Sequence, residues 1–313
     1  MSTGPGDRFL AGMEALARRR AARAFPAPGA LIDIGGRRLQ IDARGRGAPA
    51  VVLEAGLDLA GSLAWSRVHA ALAETTRVIA YSRAGVMWSD PPDGPKRGAA
   101  IADDLHALLQ AAGERPPFVL VGHSMGGPLV TIYTQRFPGE VAGLVLVDPS
   151  HPDQVRRLAA VGAPPRPPPS RRQKLAAALP WAGLSRWILP PSTLPDLLPA
   201  DAIAAVRAHE STSFNAVLAE STAFEAILAE AGALRDFGAR PLRVLSAERP
   251  AGRAVAEKQA MHAEQSRWSS RGEHRVVEGA GHVIQLDRPE AVIAAVRAVV
   301  EEVRRLRHRS TGR

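Results

Sequence analysis

Gly122-His123-Ser124-Met125-Gly126 sets a serine between two glycines, just where the apolar run Phe118–Val121 ends and the helical pattern Pro128–Phe137 is about to begin. Strand, turn and helix in that order place the serine on a sharp elbow, its hydroxyl exposed above the carboxyl edge of a sheet. The glycines are there because larger side chains would collide in such a turn. The helix N-terminus that follows favours negative charge developing beside Ser124. A serine hydroxyl becomes a useful nucleophile only when a neighbouring base takes its proton. Of nine histidines, His282 is the one placed to do so. It ends the loop Gly279-Ala280-Gly281-His282, after the last apolar strand and before the last helix, and such a loop can swing imidazole over the same sheet edge. His123, inside the motif, reads as a packing residue beneath the elbow.

The elements that must hold these side chains follow from periodicity. Leu31–Asp42 alternates apolar and polar residues around Gly35-Gly36, a hairpin signal. Strands at Ala50–Leu53, Arg77–Tyr81, Phe118–Val121 and within Val141–Ser150 then alternate with helices at Leu63–Ala73, Ile101–Ala112 and Pro128–Phe137. Near-continuous apolar strands alternating with helices indicate a parallel sheet covered on both faces. The texture changes at His151. A proline-rich linker, Ala163–Ser170, is followed by helical stretches at Ala202–His209 and Phe214–Glu230 with no strand signal. Strands resume at Pro241–Ala247 and His274–Gly279, and a long helix runs from Pro289 to Leu306. The expected fold is α/β: a mostly parallel, doubly wound sheet with a helical lid inserted between two strands. Its parts are a basic N-terminal extension (1–28), a core in two pieces (29–150 and 241–313, the latter with a basic tail) and the lid (151–240).

Composition narrows the function classes. A chain of 313 residues with 46% hydrophobic and 23% charged residues has the make-up of an ordinary soluble globular protein. With no cysteine, thiol catalysis, disulfides and zinc–thiolate sites are excluded. The net charge of +9 invites a nucleic-acid reading, but arginines in residues 1–25 and 304–313 supply eight of the nine charges. The body is nearly neutral and carries no basic face studded with aromatics, so no nucleic-acid partner is expected. No apolar run reaches the ~20 residues of a membrane span, and Phe9–Met13 is too short and wrongly ordered for a signal peptide. A cytoplasmic protein is expected, its basic N-terminus leaving room for a weak peripheral membrane contact. No metal motif, dinucleotide fingerprint or phosphate-binding loop is present, and no cofactor or metal is expected.

With the Ser124 elbow, the Gly-Ala-Gly-His282 loop and the segment Val78–Pro92 (VIAYSRAGVMWSDPP), the chain resembles the α/β-hydrolase family of lidded serine hydrolases over residues 30 to 308. The resemblance implies an oxyanion hole made by two backbone N–H groups: that of Met125, after the nucleophile, and that of Leu57, in the loop after the third strand. The family commonly has His-Gly where this chain has Ala55-Gly56, and aspartate where Ser82 stands. It also implies a carboxylate that holds His282 in the right tautomer. The usual place, after the seventh strand, reads Ala247-Glu248-Arg249-Pro250, with proline where aspartate is expected. Glu248 is one replacement. Asp148, ending the sixth strand, is the other and the preferred one, at a position haloalkane dehalogenases use. Both keep the chain order Ser, acid, His. In the lid, Trp181 and Trp187 are the substrate-facing candidates within an apolar surface suited to an uncharged, moderately hydrophobic ester. The resemblance therefore implies a serine hydrolase cleaving small carboxylic esters, with amide, thioester or C–C hydrolysis, acyl transfer and a silent binding protein as alternatives. The sequence is mute on oligomeric state.

Overall fold

The computed structural model describes residues 15–311 apart from 17, 166, 168, 169 and 172–196. Its eight strands are β1 (Ala30–Asp33), β2 (Arg38–Arg44), β3 (Ala50–Glu54), β4 (Val78–Ser82), β5 (Phe118–His123), β6 (Val141–Val147), β7 (Leu242–Ala247) and β8 (Gly272–Val277). They form one sheet in the order β1-β2-β4-β3-β5-β6-β7-β8. The first two strands join antiparallel, as the Gly35-Gly36 turn requires, and β3 to β8 are all parallel.

Both faces of the central strands are buried, which is why they read as continuous apolar runs. Val51, Leu53, Val119, Val121, Val145 and Val147 point to one face. There they meet the helices α1 (Ser66–Ala73), through Val68 and Leu72, and Pro289–Thr311, through Val292, Val296 and Val299. Val52, Leu120, Leu144 and Leu146 point to the other face, against α2 (Gly98–Ala111) and α3 (Gly126–Arg136). The chain leaves β3 toward β4 on one side and returns to β5 on the other. The loops after β3 and β5 therefore part at a topological switch point, where open α/β sheets bind their ligands.

Between β6 and β7 the named elements among the described residues are helices, α4 (Gln154–Ala160) and α5 (Ala200–Ala231), a helical insertion as the composition suggests. The two helical stretches expected at 202–209 and 214–230 are one 32-residue helix. Ser213 remains helical because its hydroxyl is spent on a neighbour: Oγ accepts the Met87 N–H at 2.8 Å and does not compete with its own backbone. At the far end of α5, Glu230 accepts the N–H groups of Gly98 (3.2 Å) and Ala99 (2.7 Å), so the insertion supplies the anionic cap of α2. The helix expected from Leu63 starts as a 3-10 turn, Gly61–Trp65, before becoming α at Ser66. A further helix, α6 (Arg253–Ser266), carries mostly alanine and polar residues and gave no apolar stripe to read. Among the described residues no helix is long and apolar enough to cross a membrane.

Candidate active site

Ser124 leaves β5 with φ +52°, a left-handed conformation that L-residues adopt at a cost of about 1–3 kcal/mol. The turn is held by its own backbone: Ser124 N donates to Val147 O (3.1 Å), and Ser124 O accepts from Gly127 N (3.0 Å) and Ser150 N (2.9 Å). A β-carbon on Gly122 would overlap the carbonyl of Gly126, and one on Gly126 would overlap that of Glu54. Both flanking glycines are thus needed for close backbone approach.

His282 meets this serine at its Nε2, 3.0 Å from Ser124 Oγ, while its Nδ1 lies 2.6 Å from Asp148 Oδ2. Asp148 is itself in a left-handed turn, φ +40°, at the end of β6. Its other carboxylate oxygen, Oδ1, accepts the Ala247 N–H at 2.8 Å from the adjacent β7. Burial pushes the Asp148 carboxyl up, but the hydrogen bond and charge of His282, with the neighbouring His262 and the Ala247 N–H, outweigh it and hold it at about 2. An ionised acceptor facing Nδ1 keeps the proton on that nitrogen and leaves the Nε2 lone pair toward the serine.

Glu248 is placed differently. It is exposed, and its Oε2 accepts the N–H of Gly279 at 2.7 Å, while Glu248 N and Arg249 N both donate to Ala280 O. It braces the histidine loop and makes no bond to the imidazole. His123 braces the same loop from below, donating from Nε2 to the His282 carbonyl at 3.0 Å, and burial lowers its pKa to about 3, so it is neutral.

The loop after β3 runs against Ser124. A β-carbon on Gly56 would stand 3.1 Å from Ser124 Cβ and 2.9 Å from His123 Nδ1, so the residue before Leu57 packs directly on the elbow. Among the described residues no acceptor takes the N–H of Leu57 or of Met125. Where the family's histidine is missing, this loop is held by Arg83. Its NH1 donates to Glu54 Oε1 (2.6 Å) and Ala55 O (2.7 Å), and its NH2 donates to Gly56 O (2.6 Å). The remaining donors go to Glu220 of α5, Nε to Oε1 at 3.1 Å and NH2 to Oε2 at 2.8 Å. Lys96 Nζ donates to Glu220 Oε1 at 2.9 Å, and the Tyr81 hydroxyl donates to Glu54. All five side chains are buried. Burial pushes Glu220 up, but Arg83 and Lys96 more than reverse this and hold it ionised. Periodicity cannot find this group, because Arg83 and Glu220 lie 137 positions apart.

Ser82, where the family usually has aspartate, donates to Gln40 Oε1 (2.8 Å) and accepts the Ser62 N–H (3.2 Å). The small residue fits there because Gly61 packs directly on it. Trp181 and Trp187 lie outside the described residues. Phe224 of the insertion is a core residue beneath the helices on the α2 and α3 side.

Among the described residues one group could in principle hold a metal: His151, Asp153 and Glu264, whose ligand atoms lie within 4.8 Å of one another. His151 Nδ1 accepts the Asp153 N–H (3.0 Å), and its buried Nε2, 3.6 Å from Glu264 Oε1, makes no hydrogen bond among the described residues. Both carboxylates are already paired, Glu264 with Arg157 at 2.7 Å and Asp153 with Arg235 at 2.8 Å. Arg157 and Arg235 thus balance the two carboxylates, which makes the group an ion-pair cluster.

Residues 49–205 match the family model for the alpha/beta hydrolase fold. A "Probable transporter efuK" of Hormonema carpetanum is 38% identical over 126 residues, 38% of this chain but 18% of that protein. The curated relatives named first are all matched over less than half of their own length. Among solved structures, an esterase from Thermogutta terrifontis superposes with a TM-score of 0.60 at 22% identity, over 88% of this chain and 98% of that one. The epoxide hydrolase CorEH superposes with a TM-score of 0.62 at 20% identity, over 85% and 96%. At such identities the likeness is one of fold.

Proposed function

This chain belongs to the α/β-hydrolase family, and on that premise we propose that it is a cofactor-independent serine hydrolase that cleaves a moderately hydrophobic carboxylic ester through an acyl-enzyme. One observation carries the reading: His282 stands 3.0 Å from Ser124 Oγ on one ring nitrogen and 2.6 Å from a buried, ionised Asp148 on the other. Ser124 Oγ attacks the ester carbonyl as its proton passes to His282 Nε2. Asp148 holds the imidazole in the competent tautomer and stabilises the imidazolium that forms. The N–H groups of Leu57 and Met125 face the developing oxyanion. His282 then returns its proton to the leaving alkoxide, and a water activated by the same nitrogen resolves the acyl-enzyme.

Epoxide and haloalkane hydrolysis on this fold run through a carboxylate nucleophile, and serine at position 124 argues against both. Labelling with a fluorophosphonate tests the nucleophile, and a panel of esters graded by acyl and alcohol size tests the substrate class. Attachment to Ser124 with saturable ester turnover is the expected result. No label on Ser124 would sink the proposal, and turnover of amides or thioesters in preference to esters would move it to a neighbouring reaction of the same triad.

A further inference from the structure

The peptide joining Gly56 to Leu57 is trans, as are all the described bonds not preceding proline. In a trans peptide the carbonyl and the N–H point in opposite directions. Arg83 NH2 draws the Gly56 carbonyl to one side at 2.6 Å, and so turns the Leu57 N–H to the other. Gly56 itself rests against Ser124, and its carbonyl also accepts the Asp58 N–H at 3.1 Å. Arg83 thereby fixes the plane of the peptide that carries the Leu57 N–H.

A buried guanidinium cannot hold that position alone, because an unpaired charge there costs several kcal/mol. Glu54, at the end of β3, balances one side and Glu220 takes the other with both oxygens. Glu220 lies on α5, in the insertion, and Lys96 balances it in turn. This group links the insertion to the loop after β3. The seat is tight: a β-carbon on Gly85, two residues after Arg83, would stand 2.7 Å from Ala216 Cβ of α5.

We infer that Glu220 is a positioning residue for the oxyanion hole, holding Arg83 against the carbonyls of Ala55 and Gly56 so that seating of α5 and the aim of the Leu57 N–H are one event. The inference rests on the serine-hydrolase reading. Removing one oxyanion donor outright costs about 10²–10³ in turnover, which bounds the effect of misdirecting one. Glu220→Gln puts an amide N–H against the guanidinium and loses the two-pronged grip. Arg83→Lys keeps the charge but cannot span both carbonyls.

The test measures ester kcat and KM, and the rate at which a fluorophosphonate phosphonylates Ser124, each below the melting transition of the variant. Glu220→Gln should slow both turnover and phosphonylation by about tenfold or more with KM within about twofold, and Arg83→Lys should do at least as much. Affinity for a trifluoromethyl ketone, which forms a tetrahedral adduct, should fall in parallel. The charge-balanced double variant Lys96→Met/Glu220→Gln leaves Glu54 and Arg83 as a neutral pair. It should show the same kinetic loss, and it serves if the single variant does not fold. Native phosphonylation and kcat in the Glu220 variants, whatever their melting temperatures, would overturn the inference and leave the nucleophile standing. A native chain that is never labelled at Ser124 would overturn both.

Discussion

Ala247 N–H donates to Oδ1 of Asp148 at 2.8 Å, so only Oδ2 is left to face His282. The two residues come from neighbouring strands, and their bond fixes which way round the carboxylate sits. That relationship decides what an amide at position 148 would do. In Asp148→Asn the oxygen must stay toward the Ala247 N–H, which puts the NH₂ group against His282 Nδ1. The imidazole must then accept at Nδ1, carry its proton on Nε2 and present a donor to Ser124. The expected outcome is a fall of about 10²–10⁴ in kcat with the melting temperature little changed, because the oxyanion hole and binding survive. Steady-state ester kinetics beside a thermal melt check it, and kcat within threefold of native would show that Asp148 does not orient the base.

Glu248→Gln should behave oppositely. Glu248 Oε2 accepts only the Gly279 N–H, and a glutamine oxygen can take that bond in the same place. Activity within about twofold of native is expected, with a stability change of roughly 0–1 kcal/mol at this exposed site. A loss comparable to that of Asp148→Asn would mean that the brace on the histidine loop, or a second carboxylate, matters as much as the first.

The contrast between these two carboxylates marks how far the sequence was legible. The elbow is written locally: apolar strand, glycine, serine, glycine and helix all fall within twenty residues, and the glycines are dictated by backbone approach. The His282 loop is local in the same way. The choice of acid is not, since Asp148 and Glu248 both follow apolar strands in the right chain order. What separates them is a left-handed turn at Asp148 and a hydrogen bond from the next strand, neither of which leaves a periodic trace. The Arg83–Glu220 pair is harder still. Each residue alone reads as an ordinary surface charge, and only the packing of α5 on the loop after β4 makes them a buried pair. The break expected between residues 209 and 214 failed for the same reason, because Ser213 finds its partner on Met87, 126 positions away.

Gly56→Ala tests the approach of the β3 loop to Ser124. The added carbon would stand 2.9 Å from His123 Nδ1 and 3.1 Å from Ser124 Cβ, and neither neighbour is free to give. His123 is tied to the His282 carbonyl, and Ser124 is fixed in its elbow. The loop must therefore back away, taking the Leu57 N–H with it. A loss of about 1–3 kcal/mol in stability and a drop in kcat of about tenfold or more are expected. A variant that loses stability but keeps native kcat when folded would show that Leu57 N–H does not serve the reaction.

The last prediction concerns acid. Burial lowers the pKa of His123 to about 3 and those of His209 and His262 to about 4, against an ordinary value of 6.5. His262 remains neutral although the Asp148 carboxylate, 3.8 Å from its Nδ1, pulls the other way. Its Nε2–H donates to the Pro149 carbonyl at 2.8 Å; the neutral ring then accepts the Ser246 hydroxyl at Nδ1, 2.7 Å away, while His274 Nε2, also 2.7 Å from that hydroxyl, donates to it. Unfolded, all three rings take up a proton as the pH falls through 6.5; folded, they do so only near 3 to 4. The unfolded chain thus binds more protons across that window, and stability rises with pH there. It is fully present above about 6.5 and is lost as the pH falls toward 4, by up to about 1.4 kcal/mol per pH unit for each histidine. Urea unfolding at pH 7, 6 and 5 should show this slope. In His262→Gln, which can keep both hydrogen bonds but cannot titrate, the slope should lessen by about one proton. An unchanged slope in that variant would mean that His262 is not held neutral by the fold.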